Sequence, residues 1–310
     1  LKCVYYIFYC FNVNIASLKK RMVMKFKKIA IIGKYPSLHE SKDIRNQLIQ
    51  LINHLTKKNV DLIIEEKTQK QINLSKFQSL SLEDIGKKVD LALVVGGDGT
   101  MLGVARTLVN SSIPLIGINQ GRFGFLADLN IDSMFASIDN ILDGSYIQDD
   151  RMLIETKILR NEKIIHESFS LNDVVIRSGL KLIELEVMIE GKFVHSQRSD
   201  GLIISTPTGT TAYALSSGGP IIHPSLDAIT IVPISPHTLS NRPIAISGNS
   251  EILVKIVNMD EAYASIDGQI QIPLDKKDKI KIKKAKQSIS ILHPKDYCYF
   301  EMLRNKLNWG

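Results

Sequence analysis

The stretch DLALVVGGDGTMLGVARTL, residues 90–108, joins an apolar run to a glycine-rich turn and a second apolar segment. Residues 91–95 are continuously apolar, as in a parallel strand that is buried on both faces. Apolar residues after the turn recur at helical spacing. Gly96, Gly97 and Gly99 leave room for a ligand to approach the backbone, and the amino end of a helix attracts anions. This stretch therefore predicts a strand–turn–helix unit with a phosphate site.

Asp98 is the unusual residue of the turn. A carboxylate beside a phosphate site repels its ligand unless it binds Mg²⁺ or takes a proton from a nucleophile. The alternative is an ordinary turn in which Asp98 only caps the helix, and Thr100 is a further candidate cap. Neither G-x-x-x-x-G-K-[ST] nor G-x-G-x-x-G occurs in the chain, so the sequence lacks the usual nucleotide fingerprints.

Strands and helices alternate on both sides of this turn. The segments KKIAIIG (27–33), DLIIEE (61–66) and IPLIGIN (113–119) are typical of buried strands. A helical pattern covers residues 41–59, and a short helix is expected near Ser81. Strands separated by helices pair in parallel through right-handed crossovers. We therefore expect an α/β amino-terminal domain with a parallel sheet.

From Arg151 onward the pattern changes to many short alternating runs without long helices between them. Hairpin turns are expected at Asn161-Glu162 and at Glu190-Gly191. This density of strands predicts a carboxy-terminal all-β, sandwich-like domain. The final segment, residues 296–309, is predicted to be a helix that packs back against the α/β domain.

The predicted domain limits follow from these changes in pattern. They are a non-family extension at 1–24, the α/β domain at 25–147, the β-rich domain at 148–290, and a segment at 291–310 that returns to the α/β domain. The first 24 residues hold an apolar aromatic run of about a dozen residues, too short to span a bilayer. We expect no membrane partner, and a membrane-surface role for this run is the alternative.

Charge and cysteine content narrow the partners and the compartment. The 310 residues carry 39 basic and 32 acidic side chains, a net charge of +7 that favours anionic partners. Part of the excess lies in LDKKDKIKIKKAK (274–286), where Lys alternates with Ile as on the solvent face of an edge strand. Aromatic residues are not interleaved there, so a nucleic-acid partner is not expected. Three widely spaced cysteines indicate a reducing, cytoplasmic location.

A second stretch rich in hydroxyl and glycine residues spans positions 197–219. Its threonines could hydrogen-bond ribose or phosphate oxygens; they are Thr206, Thr208, Thr210 and Thr211. Arg198 and Asp200 flank the strand that leads to them. Turn and cap chemistry is the alternative, and it readily explains one or two of these threonines. His223 and His237 are expected to be structural residues of the turns in which they lie.

Taken together, these motifs resemble those of the bacterial NAD kinases, and they follow one another along the chain in the same order as in that family. They are VVGGDGT (94–100), NQGRFGFLAD (119–128), LNDVV (171–175), QRSDGLIISTPTGTTAYALSSGGPI (197–221), SPHTLSNRPI (235–244) and DGQ (267–269). The GGDG element alone is shared with phosphofructokinases and diacylglycerol-type lipid kinases. The resemblance implies a site between two domains and transfer of the γ-phosphoryl group of ATP to the 2′-hydroxyl of the adenosine ribose of NAD.

The resemblance also implies roles for individual residues. Asp98 matches the catalytic carboxylate, and Gly99 lies beside the NAD in the family. Asn172 and Asp173 match positions that bind the adenine and its ribose. Physical chemistry agrees on Asp98, since a ribose hydroxyl is a weak acid that needs a nearby proton acceptor.

Further NAD contacts are implied along the rest of the chain. Arg198 and Asp200 match positions near the nicotinamide half, and Gln269 matches another NAD contact. Lys181 falls near a binding position. The adenine side is implied to be lined by Thr211, Ala212, Tyr213, Ala214, Leu215 and Ser216.

The resemblance implies that ATP and NAD are substrates and that Mg²⁺ or another divalent ion acts at the phosphates, with no protein metal ligands assigned. It further implies a homotetramer or homodimer in which a neighbouring subunit helps to close the pocket. Two alternatives stay open at this point. One is a lipid or sugar kinase with the same GGDGT turn, and the other is a catalytically silent dinucleotide-binding regulator.

Overall fold

The computed structural model describes residues 26–33, 41–120, 124–130, 134–179, 181–238 and 240–309. The predicted amino-terminal extension, residues 1–24, lies outside the described residues, as do residues 121–123 and 239 of the family motifs. Within the described part, no helix combines the length and apolar character needed to cross a bilayer.

The described strands alternate with helices in the first half of the chain and follow one another in the second. The strands are β1 Lys28–Gly33, β2 Asp61–Glu65, β3 Gln78–Leu80, β4 Leu91–Val95, β5 Leu115–Asn119, β6 Leu129–Asn130, β7 Tyr146–Arg160, β8 Lys163–Ser170, β9 Asp173–Ser178, β10 Ile183–Ile189, β11 Lys192–Ser199, β12 Gly201–Ser205, β13 Ala228–Ile234, β14 Ile244–Ser247, β15 Ile252–Asn258, β16 Ala262–Ile266, β17 Ile270–Leu274 and β18 Lys279–Pro294. The helices are α1 Ser41–Thr56, α2 Glu66–Ile72, α3 Leu82–Ile85, α4 Asp98–Leu108, α5 Met134–Leu142, α6 Tyr213–Ser216 and α7 Tyr299–Leu307, with a 3₁₀ turn at Thr208–Thr211.

The amino-terminal lobe is a parallel sheet with helices packed on it, as the sequence predicts. Its strand order is β5-β4-β1-β2-β3, and every neighbouring pair in that order is parallel. Strand β4 is buried at each of its five residues because helices and loops cover both faces. Ligand sites of such sheets lie at the carboxyl ends of the strands, which is where the turn after β4 lies.

The carboxy-terminal lobe is a β-sandwich, which confirms the predicted all-β architecture. One layer is an antiparallel six-stranded sheet, β14-β13-β12-β9-β16-β17. The other is the antiparallel part of the large sheet, formed by β11, β10, β15, β18, β7 and β8. Aliphatic residues from both layers form one buried cluster between them. The two predicted hairpin turns are also confirmed, and positive φ angles occur at Asn161, Glu162, Glu190 and Gly191.

A long antiparallel pair, β7 with β18, runs through both lobes. Its register extends from Leu159 opposite Lys279 to Tyr146 opposite Pro294. Near its carboxyl end, β18 pairs in parallel with β5 of the amino-terminal lobe, with Ile291 opposite Leu115. One sheet therefore continues from the parallel lobe into the sandwich. The domain limits stay predictions, since this continuous pair has no break at which to divide the chain.

Three expectations about local structure need correction. Residues 279–286 do not form an edge strand, because β18 pairs with both β7 and β15, although its lysines do face solvent. Thr100 does not cap α4, whose cap position is Gly97 without a side-chain hydrogen bond. Helix α2 was not expected in a polar stretch. It begins where the Glu65 carboxylate accepts the Thr68 N–H at 2.7 Å.

Truncating Ile282 on β18 tests the burial that this pairing imposes. Ile282 is fully buried between the two layers of the sandwich. Ile282→Ala should lower the free energy of unfolding by about 2–5 kcal/mol, because it removes packed methyl groups and leaves a cavity. The matched control is Lys281→Ala on the exposed face of the same strand, expected to change the free energy by about 0.5 kcal/mol or less. Equal effects in urea unfolding would contradict the assigned faces of β18.

Candidate active site

The turn after β4 places Asp98 in the first turn of α4 and fixes its carboxylate with three backbone donors. The Phe125 N–H donates to Oδ2 at 2.8 Å. The N–H groups of Leu126 and Ala127 donate to Oδ1 at 3.0 and 3.2 Å. Each carboxylate oxygen has about two lone pairs, so Oδ2 keeps one for a further donor. Asp98 is half-buried and remains accessible from the cleft.

Residues 124–127 approach Asp98 closely because two glycines leave the space. A Cβ on Gly124 would overlap Asp98 Oδ1 and lie 2.6 Å from its Cγ. On β5, a Cβ on Gly117 would overlap the Leu126 carbonyl and lie 2.6 Å from Ala127 Cα. Real Cβ atoms do not make such contacts, so either substitution would displace this segment. The position of the carboxylate therefore depends on the absence of side chains at both glycines.

One face of α4 packs against the turn between β16 and β17. Gly99, Gly103 and Arg106 share this face, since they are spaced by four and then three residues. The Gln269 amide donates from Nε2 to the Gly99 carbonyl at 2.5 Å and accepts from Arg106 at 2.6 Å through Oε1. A Cβ on Gly103 would lie 3.4 Å from Gln269 Oε1. The turn of the second lobe thus rests directly beside the turn of the first lobe that carries Asp98.

Asp267, in the same turn, joins this contact to the strand that begins at Asp173. Arg106 donates to Asp267 Oδ2 at 2.9 Å, and the Asp267 side chain is fully buried. Its carboxylate also accepts backbone N–H groups from Leu171, Asn172 and Asp173 at 2.8–3.3 Å. Burial raises the pKa of Asp267, an effect partly opposed by the Asn172 N–H and by Arg106. Sequence reasoning missed Arg106 and Asp267 as a pair, because 161 residues separate them.

A cavity of about 350 Å³ lies next to this turn. Its lining includes Asn172, Asp173, Ala212 and Tyr213, four of the predicted NAD-contact residues, together with Asp267. Burial, and then the neighbouring charge of Asp267, raise the pKa of Asp173 to about 7. The cavity thus offers an aromatic ring, an amide and a carboxyl group that can either donate or accept, which suits a heteroaromatic ring with a sugar.

The threonines of the turn at 206–211 hold their own backbone. Thr206 Oγ1 donates to the Leu171 carbonyl at 2.5 Å, and Thr210 Oγ1 donates to the Pro207 carbonyl at 2.6 Å. Thr211 Oγ1 donates to the Thr208 carbonyl at 3.1 Å, while Thr208 accepts from Arg151 at 3.3 Å. That these hydroxyls also bind ribose or phosphate oxygens stays a prediction, since a hydroxyl that donates one hydrogen bond can still accept others. In the described chain, all four have partners within the protein.

Other predicted contact residues lie outside the cavity. Ala214 is buried in a small apolar cluster with Val175 and Ile203. Lys181 pairs with Asp260 at 2.6 Å on the surface. Leu215, Ser216, Arg198 and Asp200 do not line the cavity either. Arg198 and Asp200 precede Gly201, which pairs with Arg177, whereas Ser205 at the other end of β12 pairs with Asp173.

A buried ionic network connects the Asp98-holding segment with the threonine turn. His293 Nδ1 lies 2.7 Å from Asp128 Oδ2, next in sequence after Ala127. On β7, Asp149 pairs with Arg151 at 2.6 Å, and Arg151 donates to Thr208. Burial would lower the pKa of His293, but the hydrogen bond to Asp128 and the Asp149 carboxylate, 3.8 Å from Nε2, raise it overall. Burial raises the pKa of Asp149, but His293 and Arg151 outweigh it and bring that pKa to about 2.

Sequence reasoning found no signal in His293 because its partners come from distant strands. Of the two histidines that it did single out, His223 has the structural contacts expected of it. Its Nδ1 lies 2.8 Å from Ser225 Oγ, and its ring packs against Tyr299 at 4.8 Å. Among the described residues, no group of three or more His, Cys, Asp or Glu side chains could hold a metal ion.

Comparison with known protein families matches both lobes. The ATP-NAD kinase N-terminal domain matches residues 37–146, and the ATP-NAD kinase C-terminal domain matches residues 171–293. The NAD kinase of Nitrosomonas eutropha is 46% identical over 287 residues, which cover 92% of this chain and 96% of that protein. The NAD kinase of Thiobacillus denitrificans is 43% identical over 291 residues, covering 93% and 99%.

Solved structures with low sequence identity share the fold. A yeast NADH kinase complexed with NADH superposes with a TM-score of 0.83 at 24% identity, covering 92% of this chain and 88% of that one. An NAD kinase from Archaeoglobus fulgidus in complex with ATP gives a TM-score of 0.71 at 22% identity, covering 91% and 98%. Given the matches to both domains and the close bacterial relatives, the chain belongs to the NAD kinase family.

Proposed function

We propose that this chain transfers the γ-phosphoryl group of ATP to the 2′-hydroxyl of the adenosine ribose of NAD, producing NADP and ADP. The observation that carries the proposal is the contact between the two lobes. Gln269 holds the Gly99 carbonyl, one residue from Asp98, and its turn borders the cavity that contains Asn172 and Asp173. A nucleoside in that cavity can present its ribose to the Asp98 carboxylate.

Asp98 is the general base of the proposed reaction. Its Oδ2 accepts the proton of the 2′-hydroxyl as the ribose oxygen attacks the γ-phosphorus. The bond between that phosphorus and the β,γ-bridging oxygen breaks, and ADP leaves with the electron pair. The backbone donors on Oδ1 keep the carboxylate in place without occupying the remaining lone pair of Oδ2. Positioning therefore supplies most of the catalysis, as in other phosphoryl transfers.

Mg²⁺ or another divalent ion enters with ATP. Such an ion offsets the negative charge of the phosphates, and it is usually held by phosphates and water together with one or two carboxylates. Gly97 at the cap of α4 leaves open space in which the phosphates can approach the backbone.

On the acceptor side, Asn172, Asp173, Ala212 and Tyr213 bind the adenosine half of NAD in the 350 Å³ cavity. Thr211 contributes from the end of the 3₁₀ turn, and Leu215 and Ser216 contribute from α6. Arg198 and Asp200 lie toward the opposite end of β12 and serve the nicotinamide half, and Lys181 on the surface lies near a binding position. A neighbouring subunit brings these distant groups to the pocket.

The chain therefore works as a homodimer or homotetramer in a cytoplasmic, reducing compartment. Exposed apolar side chains on the outer strands support an oligomer, among them Ile164 and Ile165 on β8 and Phe193 and Val194 on β11. Apolar side chains exposed on edge strands are candidates for burial against a second subunit. Light scattering coupled to gel filtration should give two or four times the mass of 34.7 kDa. A monomer that is fully active would contradict this assembly.

The activity assay distinguishes this function from its alternatives. Purified protein is incubated with ATP, Mg²⁺ and NAD, and NADP is read through an NADP-specific dehydrogenase. A lipid or sugar kinase would phosphorylate another acceptor and leave NAD unbound. A silent regulator would bind NAD without forming NADP, although its sequence would not need Asp98.

Replacing Asp98 tests the proton acceptor. Asp98→Asn should reduce kcat by about 10²–10⁴-fold, because a carboxamide cannot take the hydroxyl proton. NAD affinity should change little, and loss of the Phe125 hydrogen bond should lower the free energy of unfolding by about 1 kcal/mol. The control is Asp84→Asn, an exposed carboxylate on α3. Turnover of Asp98→Asn close to that of Asp84→Asn would end the general-base role.

Adding a methyl group at Gly124 tests whether the carboxylate must be held in place. Gly124→Ala forces Asp98 Oδ1 to move and should lower kcat by about 100-fold with a smaller change in the KM for NAD. Gly97→Ala is the contrasting variant, because its Cβ meets nothing within 4 Å and its melting temperature should stay that of the wild type. A Gly124→Ala enzyme with unchanged kcat would show that Asp98 tolerates displacement.

A further inference from the structure

We propose that Arg106 is a positioning residue of the NAD site, acting through Asp267 and Gln269 without touching the substrate itself. The inference rests on the proposed function, whose acceptor cavity it concerns. Arg106 lies on α4 of the amino-terminal lobe, whereas both partners belong to the β16–β17 turn of the other lobe. Its two terminal nitrogens serve different partners, whereas the ammonium group of a lysine would have to reach both partners from a single nitrogen.

The first of these two contacts, between Arg106 and Asp267, neutralises a buried carboxylate. The Asp267 side chain is fully buried, and Arg106, itself 15% exposed, is the cation that contacts it in the described structure. A buried charge without a partner is strongly unfavourable. Ionised Asp267 accepts the N–H groups of residues 171–173, and the Asp267 N–H donates to the Asp173 carbonyl at 3.0 Å. Arg106 thus stabilises the charge that holds the backbone of Asn172 and Asp173.

The second contact, between Arg106 and Gln269, sets the distance between the lobes. Arg106 donates to Gln269 Oε1, which orients the amide so that its Nε2 points at the Gly99 carbonyl. The amide lies against the helix beside Gly99 and Gly103, at 3.6 and 3.4 Å from the positions that their Cβ atoms would take, which is ordinary van der Waals contact. The residue next to Asp98 and the strand that carries Asp173 are therefore set relative to each other by one guanidinium.

The ionisable groups around Asp267 make its contact with Arg106 sensitive to pH. They are Arg106 on α4, Asp173 and Arg177 on β9, and Tyr263 on β16. Burial raises the pKa of Asp267 and Arg106 opposes that rise, so loss of the arginine raises it further. Without Arg106, Asp267 takes up a proton at a higher pH than in the wild type. The hydrogen bonds that its carboxylate accepts from residues 171–173 are then weakened over a wider range of acidic pH.

The test compares Arg106→Gln, Arg106→Lys and a control, Arg45→Gln, in the full-length enzyme. Arg45 is an exposed arginine of α1 that donates to the Ile72 carbonyl, away from the cavity. We expect Arg106→Gln to raise the KM for NAD by about tenfold or more while the KM for ATP changes little. The acid limb of its 1/KM profile for NAD should move to higher pH.

Arg106→Lys keeps the cation but replaces two donor nitrogens with one on a differently shaped side chain. It should retain the wild-type acid limb and still show part of the increase in the KM for NAD, because the contact with Gln269 is lost. The thermal unfolding of each variant is measured as well. If Arg106→Gln does not fold, Arg106→Lys is the variant that tests the proposal. Arg45→Gln should match the wild type in every readout.

Two results would overturn the positioning role. One is a folded variant with wild-type KM for NAD and wild-type pH profile. The other is an equal rise in both KM values together with a lowered melting temperature, which a general loss of structure produces. Calorimetric NAD binding without ATP separates this inference from the proposed function. If the wild type makes no NADP but Arg106→Gln still loses NAD affinity, the kinase reaction is wrong and the role of Arg106 stands.

Discussion

The antiparallel pairing of β7 with β18 is the constraint on which the rest of the structure depends. This one ladder contributes to the core of the sandwich and, through Ile291 opposite Leu115, extends the parallel sheet of the other lobe. The pair also carries Asp149, Arg151 and His293, whose buried charges meet between the lobes. Buried ionic groups of this kind are costly unless each finds its partner. The relative placement of the two lobes is thereby defined before any ligand binds.

Within that frame, the proposed site uses backbone groups more than side chains. Three N–H groups hold Asp98, and three more are held by Asp267. Glycines allow the close approach beside Asp98, at Gly124 and Gly117. A site built in this way is rigid, because moving one carboxylate would leave several backbone donors unsatisfied. Such rigidity suits a reaction in which positioning supplies most of the rate.

Local patterns in the sequence predicted the fold well and the site only in part. Helical spacing, apolar runs and turn residues report on neighbouring residues, so the strand–turn–helix unit around Asp98 and the hairpins were found. Strand partners are not visible locally, and the lysine-rich strand was therefore mistaken for an edge. The sequence left turn chemistry and ligand binding open for the threonines, and it did not reveal that Thr206 donates to the Leu171 carbonyl, 35 residues away. The Arg106–Asp267 pair escaped notice for the same reason, since only the folded chain brings helix and turn together.

The central claim is that the Asp98 carboxylate receives the proton of the adenosine 2′-hydroxyl in the cleft between the lobes. A crystal structure of the protein with NAD bound measures this most directly. We expect the 2′-oxygen to lie within about 2.6–3.2 Å of Asp98 Oδ2. The three backbone N–H groups should still donate to the carboxylate, and the adenine should lie in the cavity beside Tyr213. An adenosine ribose turned away from Asp98, with the 2′-oxygen beyond reach of a hydrogen bond or a bridging water, would contradict it.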